Sequence, residues 1–149
     1  MALPGELLGR EHASMTPNTR ADVPVRSVMT TVVVSIDPGA TLRQAARSLR
    51  DADVGTLVIM EGPEIAGIVS ERDLVRALAG DADPDENRVA EVMSVSPRYL
   101  TLADTVRVAV EMMLTAGIRH LPVVEDDELV GIVSMRALTD ALVHERPKG

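Results

Sequence analysis

The sequence contains no cysteine, no tryptophan and no phenylalanine, and its one tyrosine is Tyr99. Without cysteine there is no disulfide and no thiolate metal site, while the redox compartment stays open. With a single aromatic side chain there is no series of stacking platforms for a single-stranded nucleic acid. The formal charge is −8, so the basic footprint of a nucleic-acid surface is missing as well. No apolar run approaches the roughly 20 residues of a membrane-spanning helix. The opening residues, Met1-Ala2-Leu3-Pro4-Gly5, lack the basic patch and apolar stretch of a secretory signal. The expectation is a soluble cytoplasmic chain with no nucleic-acid partner and no membrane insertion.

Three histidines and no cysteine give no metal-site spacing, and His12 and His144 read as surface residues. Asp81, Asp83 and Asp85 invite a calcium-loop reading. An EF-hand loop needs Gly at its sixth position and Glu at its twelfth, and those positions hold Glu86 and Val92. No P-loop, Ser-His-Asp arrangement or paired catalytic carboxylates are found, so an enzyme is not expected.

What is present is an aliphatic protein of 149 residues, 46% hydrophobic and 26% charged, which is a globular composition. Its dominant feature is a duplication. Met29 matches Met93, Gly67 matches Gly131 and Leu78 matches Leu142, with a spacing of 64 residues each time. Two copies are too few for a solenoid, so a pseudo-twofold pair burying shared faces is expected. The chain divides into an N-terminal extension (1–24), repeat one (25–80), an acidic linker (81–88), repeat two (89–143) and a tail (144–149). In the extension, Leu3, Leu7 and Leu8 suit one short helical turn.

Each repeat follows one order. The β-branched run Val32–Ile36 reads as a strand, and Asp37-Pro38-Gly39 as a turn. Thr41-Leu42-Arg43-Gln44 opens a helix with a capping box. Its apolar stripe is Leu42, Ala45, Ala46 and Leu49, matched by Val106, Ala109, Val110 and Met113. The strands Leu57–Met60 and Ile65–Val69 flank a turn at Glu61–Glu64, and a helix runs from Ser70 towards Ala79. The last strand and helix carry the segment Gly67-Ile68-Val69-Ser70-Glu71-Arg72-Asp73-Leu74. Its second copy is Gly131-Ile132-Val133-Ser134-Met135-Arg136-Ala137-Leu138. A strand that turns into a helix leaves outward-pointing N–H groups able to hold phosphate or hydroxyl groups.

These segments, with Val28-Met29-Thr30, Val92-Met93-Ser94 and Ile118-Arg119-His120-Leu121-Pro122-Val123-Val124, resemble a tandem pair of cystathionine β-synthase-type (CBS) domains. The resemblance covers Val25 to about Val143. It implies an α/β fold of two β-α-β-β-α repeats related by a pseudo-twofold axis and packed sheet to sheet. It also implies a regulatory module, commonly a homodimer, that binds an adenosine-containing ligand between its halves. AMP, ADP, ATP and S-adenosylmethionine all fit that description. No cofactor is required, and a regulated enzyme or transporter is the expected reader.

The resemblance assigns ribose hydroxyls to Asp73, and a carboxylate suits a vicinal diol because it accepts two hydrogen bonds. Ser70-x-x-Asp73 is equally a capping box in which both side chains satisfy the helix start. Ser70 is then both cap and ligand contact, with Ile68 and Arg72 counted beside it. The adenine pocket facing Asp73 is expected from the other repeat: Ser96, Pro97, Arg98, Tyr99 and Leu100, with Ile118 against the base. Tyr99 stacks on that base or packs on a sheet face. Arg119 and His120 point at phosphates by resemblance, with the histidine donating more strongly below about pH 6.5. The bland reading is an arginine on a solvated face and a histidine packed at a strand start. Repeat two carries Ala137 in place of Asp73, and repeat one carries Gly55 and Thr56 in place of Arg119 and His120. One competent cleft and one degenerate cleft follow. The alternative function is a ligand-free dimerisation module.

Overall fold

The computed structural model describes residues 20–95 and 98–144. Repeat one runs β1 (Ser35–Ile36), α1 (Leu42–Ala52), β2 (Thr56–Glu61), β3 (Glu64–Ser70) and α2 (Glu71–Ala79). Repeat two opens with a short α3 (Val89–Val92) and β4 (Ser94–Val95) and continues with α4 (Val106–Ala116), β5 (His120–Glu125), β6 (Glu128–Ser134) and α5 (Met135–Val143). This is the mixed α/β duplication expected. Among the described residues no helix is long and apolar enough to cross a membrane. Leu3, Leu7, Leu8, Ser96 and Pro97 lie outside the described residues.

Local signals account for most element ends. Thr41 Oγ1 accepts from the Gln44 N–H at 3.1 Å and Gln44 Oε1 accepts from the Thr41 N–H at 2.8 Å, closing the capping box of α1. Leu42, Ala45 and Leu49 are buried beneath it, as Val106, Ala109 and Met113 are beneath α4. Ala46 is exposed and Val110 half-buried, so the apolar stripe is narrower than its sequence pattern. The β5–β6 hairpin turns through Asp126 (φ 51°) and Asp127 (φ 65°), the left-handed pair that matches the twist of two-residue hairpins.

The first strand is shorter than expected. Only Ser35 and Ile36 pair with β2, in parallel, and Val32–Val34 lie outside any strand. The Val34 carbonyl still accepts from the Val58 N–H at 3.0 Å. In repeat two the equivalent strand is reduced to one bridge, Leu100 to Val123. The parallel neighbour offers partners along one edge only, so the preceding valines are left beside a cavity.

Each half is completed by the lead-in of the other. β4, at the head of repeat two, pairs with β3 of repeat one, Ser94 opposite Ile68 and Val95 opposite Gly67. Thr30, at the head of repeat one, bridges Ile132 of repeat two with both N–H···O distances at 2.9 Å. The cores follow the same exchange. One contains Leu42, Leu49, Leu57, Ile59 and Val69 together with Val89 and, at its edge, Met93. The other contains Val106, Met113, Leu121, Val133 and Leu138 together with Val25 and, at its edge, Met29.

The flanking segments join this exchange. Arg20 Nη1 donates to the carbonyls of Leu142 and Val143, and the Val23 carbonyl accepts from the Val106 N–H at 2.9 Å. Residues 20–24 thus dock on repeat two. The acidic linker docks on repeat one: Leu42 and Arg43 N–H groups donate to Asn87 and Pro84, and Arg43 forks onto Asp85 at 2.6 and 3.0 Å. That ion pair is exposed, and it fixes position more than it adds stability.

The crossing strands pass so close that two glycines are obligatory. A Cβ on Gly67 would sit 2.5 Å from the Ser94 carbonyl oxygen and 2.8 Å from Met93 Sδ. A Cβ on Gly131 would sit 2.7 Å from Met29 Sδ and 2.9 Å from the Thr30 carbonyl oxygen. Because the obstruction includes backbone, Gly67→Ala and Gly131→Ala should each destabilise by about 1–3 kcal/mol in urea unfolding. Gly80→Ala, whose Cβ would meet nothing nearer than 3.5 Å, should stay within about 0.5 kcal/mol.

Candidate functional site

A cavity of about 1240 Å³ is lined by both repeats. Its wall includes Ile68, Ser70, Arg72 and Asp73 from repeat one and Arg98, Ile118, Arg119 and His120 from repeat two. Eight of the twelve residues singled out from the sequence therefore share one space. The exchange explains this, because β4 lies beside β3 and carries the chain towards Arg98.

Asp73 sits in the first turn of α2, and the capping box is fully formed. Ser70 Oγ accepts from the Asp73 N–H at 3.2 Å, and Asp73 Oδ2 accepts from the Ser70 N–H at 2.8 Å and from Ser70 Oγ at 3.0 Å. The two bonds to the carboxylate both use Oδ2. Oδ1 makes no hydrogen bond among the described residues, so Asp73 caps its helix with one carboxylate oxygen and keeps the other as a spare acceptor. In repeat two Ser134 Oγ accepts from the Ala137 N–H at 3.0 Å, so the serine cap survives without the carboxylate.

Tyr99 is not in the cavity. Leu100 exchanges backbone hydrogen bonds with Pro122 and Val124, and its side chain is fully buried in the second core. Side chains alternate along extended chain, so Tyr99 points the other way and is 51% exposed. The expectations of a stacking tyrosine and of Leu100 in the pocket are both corrected by this geometry. Ser96 and Pro97 are outside the described residues.

The wall also contains residues not anticipated: Thr30, Val32–Val34, Met93–Val95 and Arg76. Thr30 and Met93 come from the exchanged lead-ins, which no local pattern identifies. Arg76 is one helical turn beyond Arg72 on α2, a spacing that could have revealed it.

Charge is distributed unevenly. Arg72, Arg76, Arg98, Arg119 and Arg136 line the cavity against Asp53, Glu71 and Asp73, in a chain of net charge −8. Among the described residues none of these five guanidinium groups makes a hydrogen bond or ion pair, whereas Arg43, Arg50 and Arg107 are paired with carboxylates elsewhere. An unpaired arginine fork suits phosphate or carboxylate oxygens.

His120 spans the two halves. It stands opposite Ser134 in the β5–β6 ladder, and its Nε2 lies 3.9 Å from where a Cβ on Gly55 would be. Burial pushes its pKa below 6.5; Asp73 opposes that effect, Arg119 adds to it and Glu71 opposes it. The imidazole is therefore neutral near pH 7, and its protonation begins lower than the ordinary value used to expect it.

Comparison with known proteins adds the following. The CBS domain profile matches residues 25–80 and 89–144. An uncharacterised 17.7 kDa protein of Acidianus ambivalens is 35% identical over 121 residues, 80% of this chain and 73% of its own length. A CBS domain protein from Pyrobaculum aerophilum, solved in complex with AMP, superimposes with a TM-score of 0.70 at 33% identity, covering 77% of this chain and 89% of that one. A hexameric CBS-CP12 protein from bloom-forming cyanobacteria gives a TM-score of 0.76 at 26% identity, covering 81% and 72%.

The lowered pKa of His120 sets a pH dependence. Below pH 6.5 the unfolded chain takes up this proton more readily than the folded one, so stability is present above 6.5 and falls as pH drops beneath it. The melting temperature should decline more steeply from about pH 7 to pH 5.5 in the parent chain than in His120→Gln. Parallel curves would show that the environment of His120 does not perturb it.

Proposed function

We propose a function for this chain from one premise: it belongs to the CBS-domain family, as a tandem pair. It is a regulatory module that binds an adenosine-containing ligand in the cavity between its repeats. The observation that carries this reading is the spare Oδ1 of Asp73 on a cavity wall that also holds Arg72 and Arg119, both unpaired among the described residues. The AMP complex of the Pyrobaculum relative supports it.

In this reading the ribose hydroxyls meet Asp73 Oδ1 beside Ser70. The base lies against Ile68 and Ile118, with its edge read by backbone of the segment carrying Ser96, Pro97 and Arg98. The phosphate meets Arg119, with Arg72 and His120 beside it. A phosphate dianion next to His120 favours its protonated form, so binding takes up protons and tightens as pH falls. No chemical step is assigned, because sensing needs only differential affinity.

Signalling follows from where the ligand sits. A molecule held by Asp73 of one repeat and Arg119 of the other favours the relative orientation in which both are in reach. A homodimer, a partner enzyme or a transporter would read that orientation. The hexameric cyanobacterial relative makes a larger assembly the competing result of a mass measurement.

A second reading rests on the completed capping box, which gives Asp73 a sufficient role without any ligand. The module then serves dimerisation alone. The two readings separate in melting experiments with AMP, ADP, ATP and S-adenosylmethionine. A ligand at 100 times its Kd stabilises by about 2.7 kcal/mol, a rise of roughly 5–10 °C for a chain of this size. Asp73→Ala should abolish the rise and also lose about 1 kcal/mol of capping. Asp73→Asn retains an oxygen acceptor for the cap, so a lost rise in that variant isolates the ligand contact. Arg119→Ala should weaken binding about tenfold. Unchanged melting with all four compounds would support the dimerisation reading.

A further inference from the structure

The cavity does not stop at the competent cleft. Its wall continues past Arg119 and His120 to Ser134, Arg136 and Ala137, the start of α5. The connection is direct, since the Arg119 carbonyl accepts from the Met135 N–H at 2.8 Å and His120 stands opposite Ser134. At about 1240 Å³ the space exceeds the roughly 300–1,000 Å³ of ordinary small-ligand sites.

The two ends of this space differ in what they can hold. Asp73 offers a carboxylate for a sugar, and Ala137 offers none. Arg72 and Arg136, which occupy the same position in their repeats, both line the wall and both lack partners among the described residues. The far end has therefore lost its sugar acceptor and kept its cation. With Arg98 and Arg119 on the same wall, the guanidinium groups unpaired among the described residues outnumber what one monophosphate can engage, because each fork takes two oxygens.

Resting on the adenosine reading above, we propose that this chain binds one nucleoside triphosphate rather than two monophosphates. The sugar is held at Asp73, the phosphate chain passes Arg119 and His120, and its terminal phosphate is held by Arg136. Arg136 is thus the residue that distinguishes a triphosphate from a monophosphate.

Calorimetric titration of the full chain with adenosine, AMP and ATP tests this. The expected result is one equivalent bound per chain, with ATP about tenfold or more tighter than AMP. Arg136→Ala should remove the ATP advantage and leave AMP binding as it was, and Arg136→Lys should restore part of it. Arg136 is exposed, so neither substitution disturbs the core. Two equivalents of nucleotide per chain, equal affinities for AMP and ATP, or equal losses for both in Arg136→Ala would each overturn the proposal and leave the adenosine reading standing. No binding of any of the three would overturn both.

Discussion

The structure depends on a pair of strand crossings. Met93-Ser94 lies across Gly67, and Met29-Thr30 lies across Gly131, each so close that any side chain on the glycine meets a carbonyl oxygen. These crossings place the lead-in of each repeat in the core of the other. Neither half buries its own apolar face alone, so the two form together. Docking of residues 20–24 on repeat two and of the linker on repeat one extends the same exchange outward.

The cavity is a by-product of that exchange. Strand β4 reaches β3 and carries Arg98 towards the start of α2, while Thr30 reaches β6 near the start of α5. Both serine-capped helix starts then open into one space instead of two separated ones. A chain of net charge −8 would repel an anion in general, and the unpaired arginines reverse the local sign. Guanidinium groups left unpaired among the described residues on one cavity wall repel one another, and an anion there would relieve that repulsion.

Duplication set up two equal ends, and point differences made them unequal. Asp73 faces Ala137, Gly55 faces Arg119 and Thr56 faces His120 across the pseudo-symmetry. Glycine at 55 has a further consequence, because a larger side chain there would press on Glu71 Oε1 at 3.3 Å and approach the imidazole of His120. The small residues of repeat one make room for the large polar residues of repeat two. The asymmetry is thus complementary, and one cavity is lined by Asp73 of one repeat and by Arg119 and His120 of the other.

The repeat, the order of its elements, the helix caps and the acid lost at Ala137 were legible in the sequence, because each rests on residues within a few positions of one another. Thr41 and Gln44, Ser70 and Asp73, and the continuous apolar run Leu57–Met60 carry their geometry locally. The side from which Tyr99 points, the loss of strand pairing at Val32–Val34 and the place of Thr30 and Met93 on the cavity wall were decided only by tertiary structure. Each turns on a partner far along the chain: Pro122 and Val124 for Leu100, the one-sided edge of β2 for the valines, Ile132 for Thr30. A periodic pattern states which face of an element is apolar, but which other segment covers that face is settled by the packing of the whole chain.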